Sequence, residues 1–398
     1  MKNLASDIIH RSLKNLGTFS TSYMEEDARE IFDAYAPLNG IDSQAYPELE
    51  IFYHACEEFL LSLSQTDNQD DFRIISTHAS SEAILLGLYF LKQHWKRTSA
   101  LNDKKPHIII SKHTHFSWQK AAEYLGIQIK VLPTRQDTLN VDTEKLTLLL
   151  DKNTLAVCAT LGSPTTLCFD DIAKINTILQ AFQEENHLFV PIHVDAASGG
   201  FVAPFIYPQL DWGFKLPHVY SINISSHKYG LIYPSLGWLL MRKTICPDAY
   251  AFQHDYLGKT LHTFAMRFSH SAAHLAVQYH YSQTKGYPGY QAIIKQLFSL
   301  TKKLKLYLLA FDEIIILSSE TTPQLPGVVF SVKPTIYLQR LVANLRQQGW
   351  ILPIYTLPFQ THTLSVARIV LRYGMTEATI ETLLVDLKNA FYHLRTLP

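Results

Sequence analysis

The chain has 398 residues, 47% hydrophobic and 18% charged, enough for a large core and two or three lobes. Lys+Arg and Asp+Glu both number 35, without a basic block or acidic tail, which argues against nucleic acid or an anionic membrane surface as partner. Cys56, Cys158, Cys168 and Cys246 are scattered and read as reduced thiols of a cytoplasmic protein; Met1–His10 has no signal-peptide core, and no stretch is long and apolar enough to span a bilayer.

Residues 1–45 are polar and irregular, with helical patterning around Glu25–Tyr35. A helix is predicted from Pro47 to Leu63, with Ile51, Phe52, Ala55, Phe59 and Leu60 as its apolar positions, and another over Ser80–His94. From residue 107 short β-rich runs alternate with helical ones. The strands are predicted at His107–Ser111, Gln128–Leu132, Leu155–Leu161, Leu188–Asp195, Val219–Ile224 and Gly237–Met241. The helices between them are Ser117–Leu125, Thr143–Leu150 and Asp170–Gln183. Such alternation implies an α/β fold with a mainly parallel sheet, covered by helices and carrying its functional residues at the strand ends. A long helical region from Phe264 to Ala310 is interrupted near Gly286–Gly289. A smaller α+β unit closes the chain, with strands at Ile314–Leu317, Gly327–Val332 and Ala367–Leu371 and helices at Ile336–Gln348 and Thr376–Leu394.

Two residues at the ends of apolar runs carry the chemistry. Asp195 ends the run Leu188–Val194, and small residues follow it, Ala196-Ala197-Ser198-Gly199-Gly200, leaving room for a flat ring. Lys228 follows Val219–Ile224 and the triplet Ser225-Ser226-His227. A lysine amine can form a Schiff base with an aldehyde, and a carboxylate can pair with a pyridinium nitrogen, so the pair suits pyridoxal 5'-phosphate. The plainer readings are a cap or structural ion pair for Asp195 and a solvated amine for Lys228. Ser80 and Ser81, at a helix start, are a candidate phosphate site or a plain N-cap. A histidine in His113-Thr114-His115 could stack on the ring, and periodicity does not choose between the two.

Together these segments resemble the group II pyridoxal-phosphate amino-acid decarboxylases, and glutamate decarboxylases above all. The similarity runs from about Leu16 onward and is strongest in His193–Phe205, Ser226–Leu231 and Gly237-Trp238. It implies the PLP-dependent transferase type I fold: an N-terminal segment over 1–63 for substrate and dimer contacts, a large cofactor-binding domain over 64–285 and a small C-terminal domain over 286–398. It implies Lys228 as the cofactor lysine, Asp195 at the ring nitrogen, Ala197 under the ring and His115 stacked on it. Ser80, Ser81 and His227 would hold the phosphate, with Ser269 reaching the neighbouring subunit's phosphate in a homodimer with shared active sites. Thr18-Phe19 would bind substrate, and Asn39 with Asp42 would do so from the other subunit. Arg368 would meet a substrate carboxylate, and Tyr256 or His227 would protonate the product carbon.

The expected reaction is α-decarboxylation of L-glutamate to 4-aminobutanoate. A decarboxylase for aspartate or an aromatic amino acid is the runner-up, and a non-catalytic scaffold is the remaining alternative. No metal is expected. The chain departs from the family in three places. Pro164, in Gly162-Ser163-Pro164-Thr165, replaces a threonine, so a contact is lost or passes to Ser163 or Thr165. Ala79 replaces a glycine before the serines. The N-terminal hexamer segment and the C-terminal plug of bacterial glutamate decarboxylases have no counterpart between Met1 and Pro398, so neither feature is expected.

Overall fold

The computed structural model describes residues 11–66, 68–98, 105–135, 139–256, 259–318, 321–359 and 362–396, with backbone alone for 254–256, 259–262, 358–359, 362 and 393–396. A seven-stranded sheet forms the centre. Its strands are β1 (Phe72–Thr77), β2 (His107–Ser111), β3 (Gln128–Leu132), β4 (Thr154–Thr160), β5 (Ile192–Asp195), β6 (Val219–Ser225) and β7 (Gly237–Arg242). Their order is β1-β7-β6-β5-β4-β2-β3. Pairing is parallel from β6 through β3, while β7 is antiparallel to both β6 and β1. All residues of β2, β4 and β5 are buried, as strands covered on both faces require.

Helices α1 (Glu26–Tyr35) and α2 (Glu48–Leu63) precede the sheet, and α3 (Ser80–Thr98), α4 (Ser117–Leu125) and α5 (Ile172–Asn186) connect its strands. The one-turn α6 (Ala203–Ile206) follows β5. A hairpin, β8 (Phe252–Tyr256) with β9 (Lys259–Thr263), leads to α7 (Ala273–Thr284) and α8 (Gly286–Leu308). The second sheet is antiparallel, in the order β10 (Ile314–Ile316), β11 (Gly327–Val332), β13 (His362–Val370), β12 (Ile354–Phe359). It carries α9 (Thr335–Gln347) and α10 (Glu377–Thr396). A continuous apolar core joins the faces of the two sheets. A second cluster lies between the large sheet and α3 and α4, around Ile108, Ile110, Cys158, Leu239 and Trp118.

The structure corrects three expected elements. Residues 143–150 are not a helix: only Thr143–Lys145 form a 3₁₀ turn. Lys145, Leu146 and Leu149 each bond the carbonyl three residues back, so the segment folds as successive tight turns that bury Leu146 and expose Leu148. The expected strand Leu188–Asp195 begins only at Ile192, because Pro191 has no N–H to give the ladder. The helical region after Phe264 starts at Ala273.

An N-terminal strap spans both sheets. Leu16 N bonds Ile351 O at 2.8 Å, and Val370 N bonds Leu16 O at 2.8 Å. A few residues on, Thr21 N bonds His227 O at 2.8 Å and the Thr21 hydroxyl bonds Lys228 O. Arg372, 1% exposed, donates to the carbonyls of Ser20 and Ser12 and so clamps the strap from below.

Candidate active site

Asp195 ends β5, and its neighbours deliver three neutral donors to its carboxylate. Trp118 Nε1 donates to Oδ2 at 2.9 Å, Asn223 Nδ2 to Oδ1 at 2.8 Å, and Ala197 N to Oδ1 at 3.2 Å. Asp195 is 4% exposed. Three hydrogen bonds offset the loss of water around it and leave acceptor capacity for one more donor. The carboxylate caps no helix, and its donors carry no charge.

Lys228 sits three residues past β6. Its Nζ donates to Ser198 Oγ at 3.3 Å and lies 5.6 Å from the centroid of the Phe19 ring. Burial pulls its amine below the ordinary lysine value; Asp195 raises it, and Arg368 lowers it further. A less basic amine is closer to the neutral form that attacks an aldehyde. Arg368, on β13, lies 4.6 Å from the same ring and 5.9 Å from that of Tyr355. It donates to Gly17 O through Nη2, while its buried Nε has no partner among the described residues. Thr18 Oγ1 accepts from Ser20 N at 3.1 Å, which turns the strap beside Phe19.

The hydroxyl candidates form two pairs. Ser80 Oγ lies 2.7 Å from Ser225 Oγ, and Ser81 Oγ lies 2.8 Å from Ser117 Oγ. Ser117 Oγ is also 2.8 Å from His115 Nδ1 and ties the histidine to the serines. Both serines lie at the start of α3, where the helix dipole favours an anion. Gly237 allows this approach: a Cβ there would come within 2.7 Å of the Ala79 carbonyl carbon and 2.9 Å of Ser80 N. His227 Nδ1 bonds Leu236 O at 3.2 Å, and burial, then Lys228, push the ring down to about 4. His227 is therefore neutral at physiological pH, with its lone pair at Nε2; a bound anion beside it would raise that value.

These residues fit the cofactor read from the sequence. Along Ile192–Phe201 only Ala197 is less than fully buried, an opening the width of one small side chain. His115 is half-buried, and burial and the Lys228 charge lower its basicity, which suits a ring offered as an apolar face. His113, 6% exposed, is also pushed down to about 4. A buried carboxylate, a depressed lysine and a helix-end hydroxyl cluster occupy neighbouring ends of β5, β6 and α3.

Three expected site residues lie together elsewhere. Asn39 pairs with Ser271 in an isolated bridge, and its Oδ1 accepts from His270 N at 3.3 Å. Gly40 N bonds His270 O at 2.7 Å, and Asp42 Oδ1 accepts from Ala45 N at 3.1 Å. Ser269 is exposed on the same edge. A cleft of about 270 Å³, lined by Gly40, Ile41, Tyr53, Arg267 and His270, opens there and not at Lys228. The backbone of Tyr256 closes β8, and its side chain lies outside the described part of the structure.

The loop that departs from the family at Pro164 is internally satisfied. Ser163 Oγ donates to His113 O at 3.0 Å and accepts from the amides of Thr165 and Thr166, both at 3.2 Å. Its hydroxyl is committed, and Thr165 Oγ1 lies 3.1 Å from it, so the two candidates to replace the lost contact are bonded to each other. Tyr355 ties this loop to the small sheet through a bond to Thr165 O.

Sequence reasoning missed Trp118, Asn223, Ser117 and Thr21. Asn223 carried a signal, an amide within the buried strand Val219–Ser225. Trp118 carried none, because its bond to Asp195 spans 77 residues of chain.

Fold and site thus define an α/β protein that brings a lysine and a buried carboxylate to neighbouring strand ends, a pair whose chemistry suits an aldehyde cofactor. The model of the pyridoxal-dependent decarboxylase conserved domain matches residues 29–333, and the chain belongs to that family. Its cofactor is pyridoxal phosphate, and it is a carboxy-lyase acting on an amino acid. It is similar to glutamate decarboxylase of Petunia hybrida, 33% identical over 96% of this chain and 78% of the relative. It is also similar to that of Lactococcus lactis subsp. cremoris, 34% identical over 92% and 80%. The solved glutamate decarboxylase of Lactobacillus brevis superposes with a TM-score of 0.92 at 30% identity, covering 100% of this chain and 92% of that one. Oryza sativa TDC, solved with PLP and tryptamine, shares the fold, with a TM-score of 0.81 at 18% identity over 99% and 87%. Among the described residues no helix is long and apolar enough to cross a membrane.

Proposed function

We propose that the chain decarboxylates L-glutamate to 4-aminobutanoate, in a homodimer whose subunits complete each other's sites. The observation that carries this reading is the approach of both Lys228 and Arg368 to the Phe19 ring. It puts the Thr18-Phe19 strap, a cation for the substrate carboxylate and the cofactor lysine in one place. The similarity to glutamate decarboxylases supports the choice of substrate.

When bound, the cofactor supplies an aldehyde that joins an amine and a ring that withdraws electrons from the α-carbon. Lys228 would hold the aldehyde, and Asp195 would keep the ring nitrogen protonated. Ser80, Ser81 and the start of α3 would hold the phosphate, helped by His227 once the bound anion raises its basicity and Nε2 gains a proton, and His115 and Ala197 would flank the ring. Arg368 would orient one substrate carboxylate. As CO₂ leaves, the α-carbon takes up a proton, so each turnover consumes one. Tyr256 is the preferred donor, because a neutral His227 has its only N–H committed to Leu236 O.

The division of labour expected for 1–63, 64–285 and 286–398 belongs to the same reading. Asn39, Asp42 and Ser269 share an edge with a cleft, as residues serving a neighbouring subunit would. Dimerisation is tested by sedimentation, and complementation by mixing a Lys228→Ala chain with an Asp42→Ala chain: recovered activity supports shared sites.

A second reading, a decarboxylase for aspartate or an aromatic amino acid, draws on Pro164 and the committed Ser163 hydroxyl. CO₂ release from glutamate, aspartate and aromatic amino acids, with cofactor added, decides between them. Preference for any substrate other than glutamate would overturn the first reading.

A further inference from the structure

Behind Asp195 lies a row of polar groups that the site itself does not use. In the parallel pairing of β5 with β6, His193 stands beside Ser221 and Asp195 beside Asn223. The two-residue spacing puts all four side chains on one face of the sheet. Ser221 Oγ is 2.7 Å from His193 Nδ1, His193 Nε2 is 2.8 Å from Asn223 Oδ1, and Asn223 Nδ2 is 2.8 Å from Asp195 Oδ1.

Donor and acceptor rules give this row a single direction. An ionised carboxylate only accepts, so Asn223 turns its amide nitrogen to Asp195 and its carbonyl to His193. That carbonyl also only accepts, so the imidazole proton sits on Nε2. The Nδ1 lone pair then receives the Ser221 hydroxyl proton. Were the proton on Nδ1, the Asn223 carbonyl would face a bare nitrogen, and a flipped amide would set oxygen against oxygen at Asp195.

The surroundings keep the row dry and fixed. Ser221, His193 and Asn223 are all 0% exposed. Trp118, the other side-chain donor to Asp195, meets the His193 ring edge-on at 4.9 Å. Gly87 on α3 makes room for the ring, since a Cβ there would come within 2.8 Å of His193 Cε1. Burial pushes the imidazole down to about 4, so it stays neutral at physiological pH.

We propose that His193 and Ser221 are positioning residues for the cofactor: by fixing one imidazole tautomer they hold the Asn223 amide toward Asp195, and so hold the carboxylate that meets the ring nitrogen. Neither residue is hydrogen-bonded to Asp195 itself: His193 meets Ser221 and Asn223. The inference rests on the reading that Asp195 pairs with that nitrogen.

The test uses the full chain with His193→Leu, His193→Gln and Ser221→Ala, each checked for folding by circular dichroism. Pyridoxal phosphate affinity is titrated by visible absorbance, and the bands are followed against pH. His193→Leu is expected to weaken affinity roughly tenfold or more, the scale of a lost bond to a charged group, and to move the pH midpoint of the bands. His193→Gln keeps an N–H donor and is expected to recover most of the loss, and Ser221→Ala to weaken affinity about threefold. A folded His193→Leu protein with unchanged affinity and bands would overturn the proposal. If His193→Leu does not fold, unchanged affinity and bands in Ser221→Ala would do the same. An Asp195→Asn protein with an unchanged spectrum would instead sink the assignment of Asp195, and the proposal with it.

Discussion

Phe19 meets two cations that lie 140 positions apart in the chain: Lys228 Nζ is 5.6 Å from its ring centroid and the Arg368 guanidinium 4.6 Å. Each contact is worth about 0.5–2 kcal/mol, more where water is excluded. Phe19→Leu is expected to raise KM for the amino acid about tenfold, while the visible band of the bound cofactor persists. Steady-state kinetics beside an absorbance spectrum check this; an unchanged KM counts against a substrate role for the strap.

On the proposed reading, Lys228→Ala removes the amine that would hold the aldehyde. The purified variant is expected to lose the visible absorbance of the unaltered protein, and its CO₂ release to fall roughly a thousandfold or more. A variant that keeps both colour and turnover would show that the lysine is structural.

Activity is expected to be higher at mildly acidic pH than at neutrality. If Asp42 of one subunit meets the distal carboxylate of glutamate in the other, two acids share a contact and must share a proton. A pH–rate profile flat through neutrality, or unchanged in Asp42→Asn, would refute that arrangement.

The fold responds to acid in the opposite sense. Burial above all pushes His113, His193, His227 and His270 each from 6.5 down to about 4. Between those values the unfolded chain binds protons that the native rings refuse. Their contribution is thus complete above pH 6.5 and lost as pH falls toward 4. Asp170, pushed up from 3.8 to about 7 by burial and then the Asp195 charge, has the reverse sign and loses its contribution as pH rises through that window. Four groups oppose one, so the Tm of the cofactor-free protein should drop as pH is lowered from 6.5 to 4. Thermal unfolding across that range measures it, and a Tm that rises on acidification would contradict the balance.

Strands of both sheets were legible where β2, β3 and β11 are short β-rich runs bounded by turn residues, and their limits match the expected ones. Strand β1 was not, since Phe72–Thr77 pairs with β7, 170 positions on at Phe72↔Arg242, and nothing local announces that partner. The Thr143–Leu150 segment misled because leucines spaced for a helix also suit tight turns when one of them is exposed. Within the site, Asp195 and Lys228 stood out by chemistry, because a charge at the end of a buried strand needs a reason. Their supports did not: Trp118 and Ser117 are unremarkable on a helix, and only tertiary contact gives them a partner. Thr18, Asn39 and Asp42 were read through the family resemblance, and by residue chemistry alone they are ordinary loop residues.

The strap that runs from Ser12 to Thr21 has a consequence for the order of folding. Gly17 and Ser20 are held by Arg368 and Arg372, across 351 and 352 positions of sequence, while Thr21 rests on Lys228. Contacts of such separation form late and slow the search for the native state. During synthesis Gly17 and Ser20 must wait for Arg368 and Arg372 to emerge, long after Lys228 has become available to Thr21. A nascent chain that has already folded its large sheet would still lack the wall against which Phe19 is set. The reactive lysine is then among the last parts of the molecule to be enclosed, so an unfinished chain presents an open, unselective amine.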